Sequence, residues 1–119
     1  MTDGIGEGFP RARRLRKSPD FRRVQRGGRR IHGASLVIIH RRNDLDGPRV
    51  GLAVSRKVGN AVVRNRVKRW LREALRRRLG ALPPVDVVLI ARPSAATAGY
   101  PNLSAEVARA LETIRREHA

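Results

Sequence analysis

The stretch Arg49-Val50-Gly51-Leu52-Ala53-Val54-Ser55-Arg56-Lys57-Val58-Gly59-Asn60-Ala61-Val62-Val63-Arg64-Asn65-Arg66-Val67-Lys68-Arg69 changes its hydrophobic period in mid-course. Val50, Leu52 and Val54 alternate with their neighbours, which predicts a strand over 49–55. Past Gly59 the period lengthens. Asn60 is a helix-capping residue type, and Val63, Val67, Trp70, Leu71, Ala74 and Leu75 fall within one arc of a helix over about 61–79. Arg64, Asn65, Lys68, Arg69, Arg72 and Arg76 cover the opposite side, and Gly80 with Pro83-Pro84 ends the helix. A strand feeding a long two-faced helix calls for a sheet beneath that helix.

The flanks supply one. Val85 to Ala91 is nearly all apolar, as befits a buried central strand. Upstream, Ser35 to His40 reads as a strand rich in branched residues, with a shorter one over Arg29 to His32. Asn43-Asp44-Leu45-Asp46-Gly47-Pro48 is turn chemistry, and it predicts an antiparallel hairpin joining 35–40 to 49–55. Ser18-Pro19-Asp20-Phe21 spells a helix start, and Gly27-Gly28 stops that helix after Arg26 with Phe21 and Val24 on its apolar side. A last helix over about Leu103 to Glu117 turns Val107, Ala110, Leu111 and Ile114 inward. The expected fold is an α+β two-layer sandwich in the order α-β-β-β-α-β-α. Residues 13–119 form a single domain in this reading, and residues 1–12 a flexible arm.

The charge points to a polyanionic partner. The 119 residues carry 27 Lys and Arg against 10 Asp and Glu, a formal charge of +17. Residues 11–78 hold 23 of the cations and only four acids (Asp20, Asp44, Asp46, Glu73), whereas residues 79–119 are neutral. Such a lopsided field repels itself unless a polyanion neutralises it. With no cysteine, disulfides, thiolate metal sites and cysteine nucleophiles are excluded. The longest apolar run, Val87 to Ala91, falls far short of a membrane span of ~20 residues. The first ten residues lack the apolar segment of a signal peptide, so a cytoplasmic protein with no membrane partner is expected.

No self-sufficient active site is visible. His32, His40 and His118 are scattered, and Asp44 and Asp46 are the only close carboxylates in the basic region. They fit a divalent metal for phosphodiester cleavage, but they fit a turn beside Gly47-Pro48 better. The start of the long helix is more informative. A helix N-terminus repels cations by about 0.3–1 kcal/mol each, yet Arg64, Arg66, Lys68 and Arg69 crowd it, with Arg56 and Lys57 just before. That placement makes sense against a bound anion, with Gly59 letting the backbone come close. Asn65 suits a base edge or a 2′-hydroxyl. Trp70 lies in the apolar arc and reads as core. Phe21 reads as core by its pairing with Val24, or as a platform for unpaired bases if a cleft lies beside its helix.

The run Lys57-Val58-Gly59-Asn60-Ala61-Val62, followed by Arg64-Asn65-Arg66 and Lys68-Arg69, resembles the signature of the bacterial ribonuclease P protein subunit. The likeness extends to Arg14-Leu15-Arg16-Lys17 with Asp20-Phe21, to Arg49-Val50-Gly51-Leu52 and to Val88-Leu89-Ile90-Ala91-Arg92, covering about residues 13–92 closely. It implies the same element order on a four-stranded mixed sheet of ribosomal-protein type. It also implies a left-handed crossover from the strand at 49–55 through the long helix to the strand at 85–91, where pattern rules alone favour the right hand. The resemblance further implies the non-catalytic protein subunit of an endoribonuclease. In that family a large RNA with bound Mg²⁺ cleaves precursor tRNA to give the mature 5′ end. By position, Arg64, Asn65, Arg66, Lys68, Arg69 and Arg72 are expected to face the RNA subunit, with Lys57 and Asn60 at its edge. Phe21, Arg22 and Arg29 are expected in a cleft for the 5′ leader. Gln25 stands where family members often carry a second aromatic. No protein metal site and no obligate protein partner are expected. The rivals are a ribosomal or other structured-RNA binder without a ribozyme, and a nuclease built on Asp44 and Asp46.

Overall fold

Val85–Ala91 is the middle of the molecule, as its apolar run requires. The computed structural model describes residues 13–15 and 18–119. The expected arm over 1–12 and the motif residues Arg16 and Lys17 lie outside the described residues. Four strands, β1 (Arg29–His32), β2 (Leu36–Arg42), β3 (Arg49–Ala53) and β4 (Val85–Ala91), form one sheet in the order β1-β2-β4-β3. β2 is antiparallel to both β1 and β4, while β3 runs parallel to β4. The expected hairpin between 35–40 and 49–55 is therefore not formed: β4 lies between those strands, and the hairpin is β1–β2 instead. A strand apolar on both faces is best satisfied with partners on both edges and helices above and below.

Helix α1 spans Ser18–Gly27, α2 Ala61–Arg76 and α4 Tyr100–Glu117, with a one-turn α3 at Ala95–Ala98, between β4 and the last helix. α2 ends three residues earlier than its pattern suggested, and the chain continues as a 3₁₀ turn at Leu79–Ala81. Val67, Leu71, Ala74 and Leu75 of α2 and Leu103, Val107, Ala110, Leu111 and Ile114 of α4 are buried. They share one core with Leu36, Ile38, Val50, Leu52, Val87 and Leu89 of the sheet. Trp70 is half-buried at the edge of that core. The other face carries a smaller core of Leu15, Phe21, Val24, Ile39 and Val88 beneath α1.

One charge sits inside the apolar strand. Asp86 is 0% exposed. Its Oδ1 accepts from Arg49 Nε and from Asn43 Nδ2, both at 2.9 Å, and its Oδ2 accepts from Arg49 Nη2 at 2.7 Å and Arg23 Nη2 at 3.3 Å. Arg49 also reaches Asp20 at 3.5 Å. Hydrogen bonding to Asp86 raises the Arg49 pKa above its ordinary value. Asn43 meanwhile binds Gly47 O and receives the Leu45 N–H, so the Asn43–Pro48 turn is organised around the first residues of β4. This is why the turn carries the chain past β4 rather than folding β3 directly onto β2.

The C-terminal end of α4 is tied to the sheet by a second polar cluster. His40, 1% exposed, places Nδ1 2.8 Å from His118 Nε2. Arg29 pairs with Glu117 at 3.0 Å, and Arg42 Nη2 donates to His118 O at 2.9 Å. Burial, then the nearness of His118, lowers the His40 pKa; burial, then Arg42, lowers that of His118.

Two outcomes are expected. Asp86→Ala strands Arg49 and Arg23 and should cost about 3–5 kcal/mol in urea unfolding, whereas the more exposed Asp20→Ala should cost under about 1 kcal/mol. Both imidazoles are held neutral by the fold, so the unfolded chain takes up protons first as pH falls. Their contribution is complete above about 6.5 and is lost below it, through the lowered folded values. Tm should therefore drop on acidification from pH 7 to 5, and the drop should be smaller in His40→Leu.

Candidate nucleic-acid interface

Cations dominate the exposed side of α2, while Val67, Leu71, Ala74 and Leu75 take the buried side. Val62, Asn65, Arg69 and Arg76 are exposed, and Arg64, Lys68 and Arg72 form a half-buried ridge beside them. The first turn holds no acid. Asn60 caps the helix, its side-chain oxygen accepting from Val63 N–H at 3.0 Å. Arg64 folds back to donate to Gly59 O at 2.9 Å. Arg66 lies over the Trp70 ring, 5.4 Å from its centroid, and its Nε is buried with no hydrogen-bond partner among the described residues. Gly59 makes this start possible, since a Cβ there would stand 2.8 Å from Val63. Lys57 is exposed in the preceding turn. All eight residues expected at an RNA surface are thus on or next to one helix, although the capping oxygen of Asn60 is already engaged.

The opposite side of the sheet is ordered in rows across the strands. The row nearest one end is charged: Arg41, Asp86 and Arg49. Next come Arg30, Ile39, Val88 and Gly51, which α1 covers. Beyond α1 lies His32, Val37, Ile90 and Ala53, the two branched residues being only partly buried. This last row is the part of the face that α1 leaves partly uncovered, and by alternation Arg92 continues it past Ile90.

Phe21 lies outside that row, in the small core beneath α1. It is 7% exposed, and its ring rests on β3, where a Cβ at Gly51 would stand 2.4 Å from it. Arg29 is displaced as well, since it shares a face with Ile31 and His40 and pairs with Glu117, behind the cleft. Alternation puts Arg30 on the cleft side, where it donates to Gln25 O at 3.2 Å. Arg22 is exposed on α1, as expected. Asp44 is an exposed loop residue and Asp46 pairs with Arg13 at 3.3 Å. Among the described residues no group of three or more His, Cys, Asp or Glu could hold a metal.

The ribonuclease P family profile matches residues 9–115, nearly the whole chain. The chain belongs to the ribonuclease P protein family. It is 36% identical to the ribonuclease P protein component of Citrifermentans bemidjiense over 93% of this chain and 96% of that one. Identity to the component of Acidothermus cellulolyticus is 44%, over 87% and 88%. The solved ribonuclease P protein of Staphylococcus aureus superposes with a TM-score of 0.82 at 29% identity, covering 88% of this chain and 99% of that one. As a ribonuclease P protein component, the chain is the protein subunit of an endoribonuclease whose catalyst is RNA. The family's separated motifs gain a physical meaning here. The Asp20-Phe21 and Arg49-Gly51 motifs are two sides of one contact, an ion pair at its rim and a ring on a glycine within.

A core Phe21 leads to a definite expectation. Phe21→Ala should lose about 3–5 kcal/mol of stability. Gly51→Ala should cost about 1–3 kcal/mol in the native background, through crowding of the ring. It should cost distinctly less when Phe21 is already Ala, a coupling that a double-mutant cycle measures.

Proposed function

We propose that the exposed side of α2 docks on the ribonuclease P RNA, and that the row His32, Val37, Ile90 and Ala53 receives the 5′ leader of precursor tRNA. The observation that carries the docking half is the placement of Arg64, Arg66, Lys68 and Arg69 at a helix end with no acid in its first turn. A helix selected for stability alone would hold carboxylates there. Phosphates offset the repulsion and accept charge-assisted hydrogen bonds, while Asn65 adds an amide suited to a base edge or 2′-hydroxyl.

The leader half rests on shape and chemistry. An unpaired strand needs an apolar floor for its bases and cations for its backbone. Val37 and Ile90 supply the floor, and Arg22, Arg30 and Arg92 the charge. With no Phe, Tyr or Trp in the row and Gln25 on α1, bases lie mainly against branched aliphatic side chains, with the His32 imidazole at one end, and such a floor grips less and discriminates little between bases. Cleavage is performed by the RNA with Mg²⁺, and the protein positions the substrate. Residues 13–119 act as one RNA-binding domain, in the cytoplasm and without a membrane partner.

The decisive variant is Arg64→Ala with Arg66→Ala. Relief of dipole repulsion, about 0.3–1 kcal/mol each, offsets the lost contact with Trp70, about 0.5–1 kcal/mol, so the Tm should stay near wild type. Affinity for the RNA subunit should fall by about 1.5–3 kcal/mol per lost contact, and the plot of log affinity against log salt should become shallower. Unchanged affinity and slope would refute docking through α2.

A further inference from the structure

On the side of α1 away from the open row, Arg23, Arg26 and Arg41 surround a cavity of about 370 Å³ walled by Gly27. Two of the three guanidinium groups are held in place. Arg41 Nη1 donates to Arg23 O at 3.2 Å, and Arg23 Nη2 reaches Asp86 at 3.3 Å. Asp86 is the nearby counter-charge, and Arg49 already engages both its oxygens. Four arginines therefore share Asp86 and the more distant Asp20, leaving a local excess of positive charge. The C-terminal end of the α1 dipole offsets only about half a charge. Arg41 crosses Gly27 so closely that a Cβ there would stand 2.8 Å from its Nη1, so a side chain at 27 would push the guanidinium out of its place.

We propose that Arg23, Arg26 and Arg41 form a phosphate pocket for an RNA backbone, separate from both the α2 surface and the leader cleft. Forked guanidinium groups converging on one cavity match the oxygens of a phosphodiester, and pre-positioning two of them lowers the ordering cost of binding. Helix α1 stands between this pocket and the open row. A strand lying on the row does not reach the pocket, so the phosphate belongs to a different stretch of RNA. That stretch is either part of the RNA subunit or the body of the tRNA. The inference rests on the reading of the chain as an RNA-docking subunit and adds a contact to it.

The test uses the full chain with Arg26→Ala and Arg41→Ala together, leaving Arg23 because it touches Asp86. Thermal melting reports folding. Affinity is measured for the RNA subunit alone, and then for the assembled holoenzyme with precursor tRNA and with mature tRNA. A fall of at least about tenfold is expected in one arm, with the log–log salt slope shallower by about one to two units. Loss toward the RNA subunit assigns the phosphate to that RNA. Loss toward precursor and mature tRNA alike, with subunit binding intact, assigns it to the tRNA body. Wild-type affinities and slopes in every arm overturn the pocket, as does a loss confined to leader-bearing substrate. Arg26→Ala alone, at an exposed helix position, repeats the measurement should the double variant melt early. The Arg64/Arg66 variant run in parallel separates the two readings: if it too binds normally, docking itself fails, and if only the Arg26/Arg41 variant is silent, the pocket alone fails.

Discussion

A buried carboxylate holds this molecule's basic half together. Asp86 accepts from Arg49, Arg23 and Asn43, which belong to β3, α1 and the β2–β3 turn, while it sits itself on β4. Few other acids are available in a chain with a formal charge of +17, and a desolvated pair is worth little without such complete hydrogen bonding. Because Arg49 satisfies both oxygens from one direction, Asp86 orients the strand order as well as neutralising it. β4 enters where Asn43 and Arg49 hold its first residues, and α1 is set across the sheet at the height of Arg23.

That height divides the sheet's second face into uses. The covered rows stabilise, since Phe21 on Gly51 and Val24 close a small core that α1 could not otherwise secure with two apolar residues. The uncovered row is left for a ligand. On the first face α2 and α4 bury a larger core, so most of the outer surface of α2 is left to cations. Stability and binding are assigned to different faces of the same elements.

Much of this was readable in advance, and the exceptions share a cause. Element order, the central position of Val85–Ala91 and the two-sided pattern of α2 follow from periodicity, because burial on one side leaves a periodic trace. The β2–β3 hairpin was misread because a turn sequence reports a change of direction and not which strands then pair. Arg29 was assigned to the cleft side although a single residue's shift reverses a strand's facing, and in a strand as short as Arg-Arg-Ile-His the polar neighbours leave little phase information. Asp86 passed unnoticed within an apolar run, yet a lone acid there, downstream of so many arginines, was the available signal. Phe21 stood open between core and cleft, and only its contact with Gly51, thirty positions away, decides it.

The strand order also bears on how the chain comes into being. Apart from a single bridge to Arg14, β3 has β4 as its only partner strand among the described residues, and 31 residues lie between the end of β3 and the start of β4. During synthesis β1 and β2 can pair as a local hairpin, but β3 has no strand to join until Val85–Ala91 has left the ribosome. Until then its edge, the waiting edge of β2 and a run of unneutralised arginines are exposed together. Pairings so distant in sequence are slow to form, and open strand edges invite wrong partners in the interval. The nascent basic segment thus passes through a period in which it is a polycation without its completed sheet, attractive to any RNA nearby before it has acquired the shape to select one.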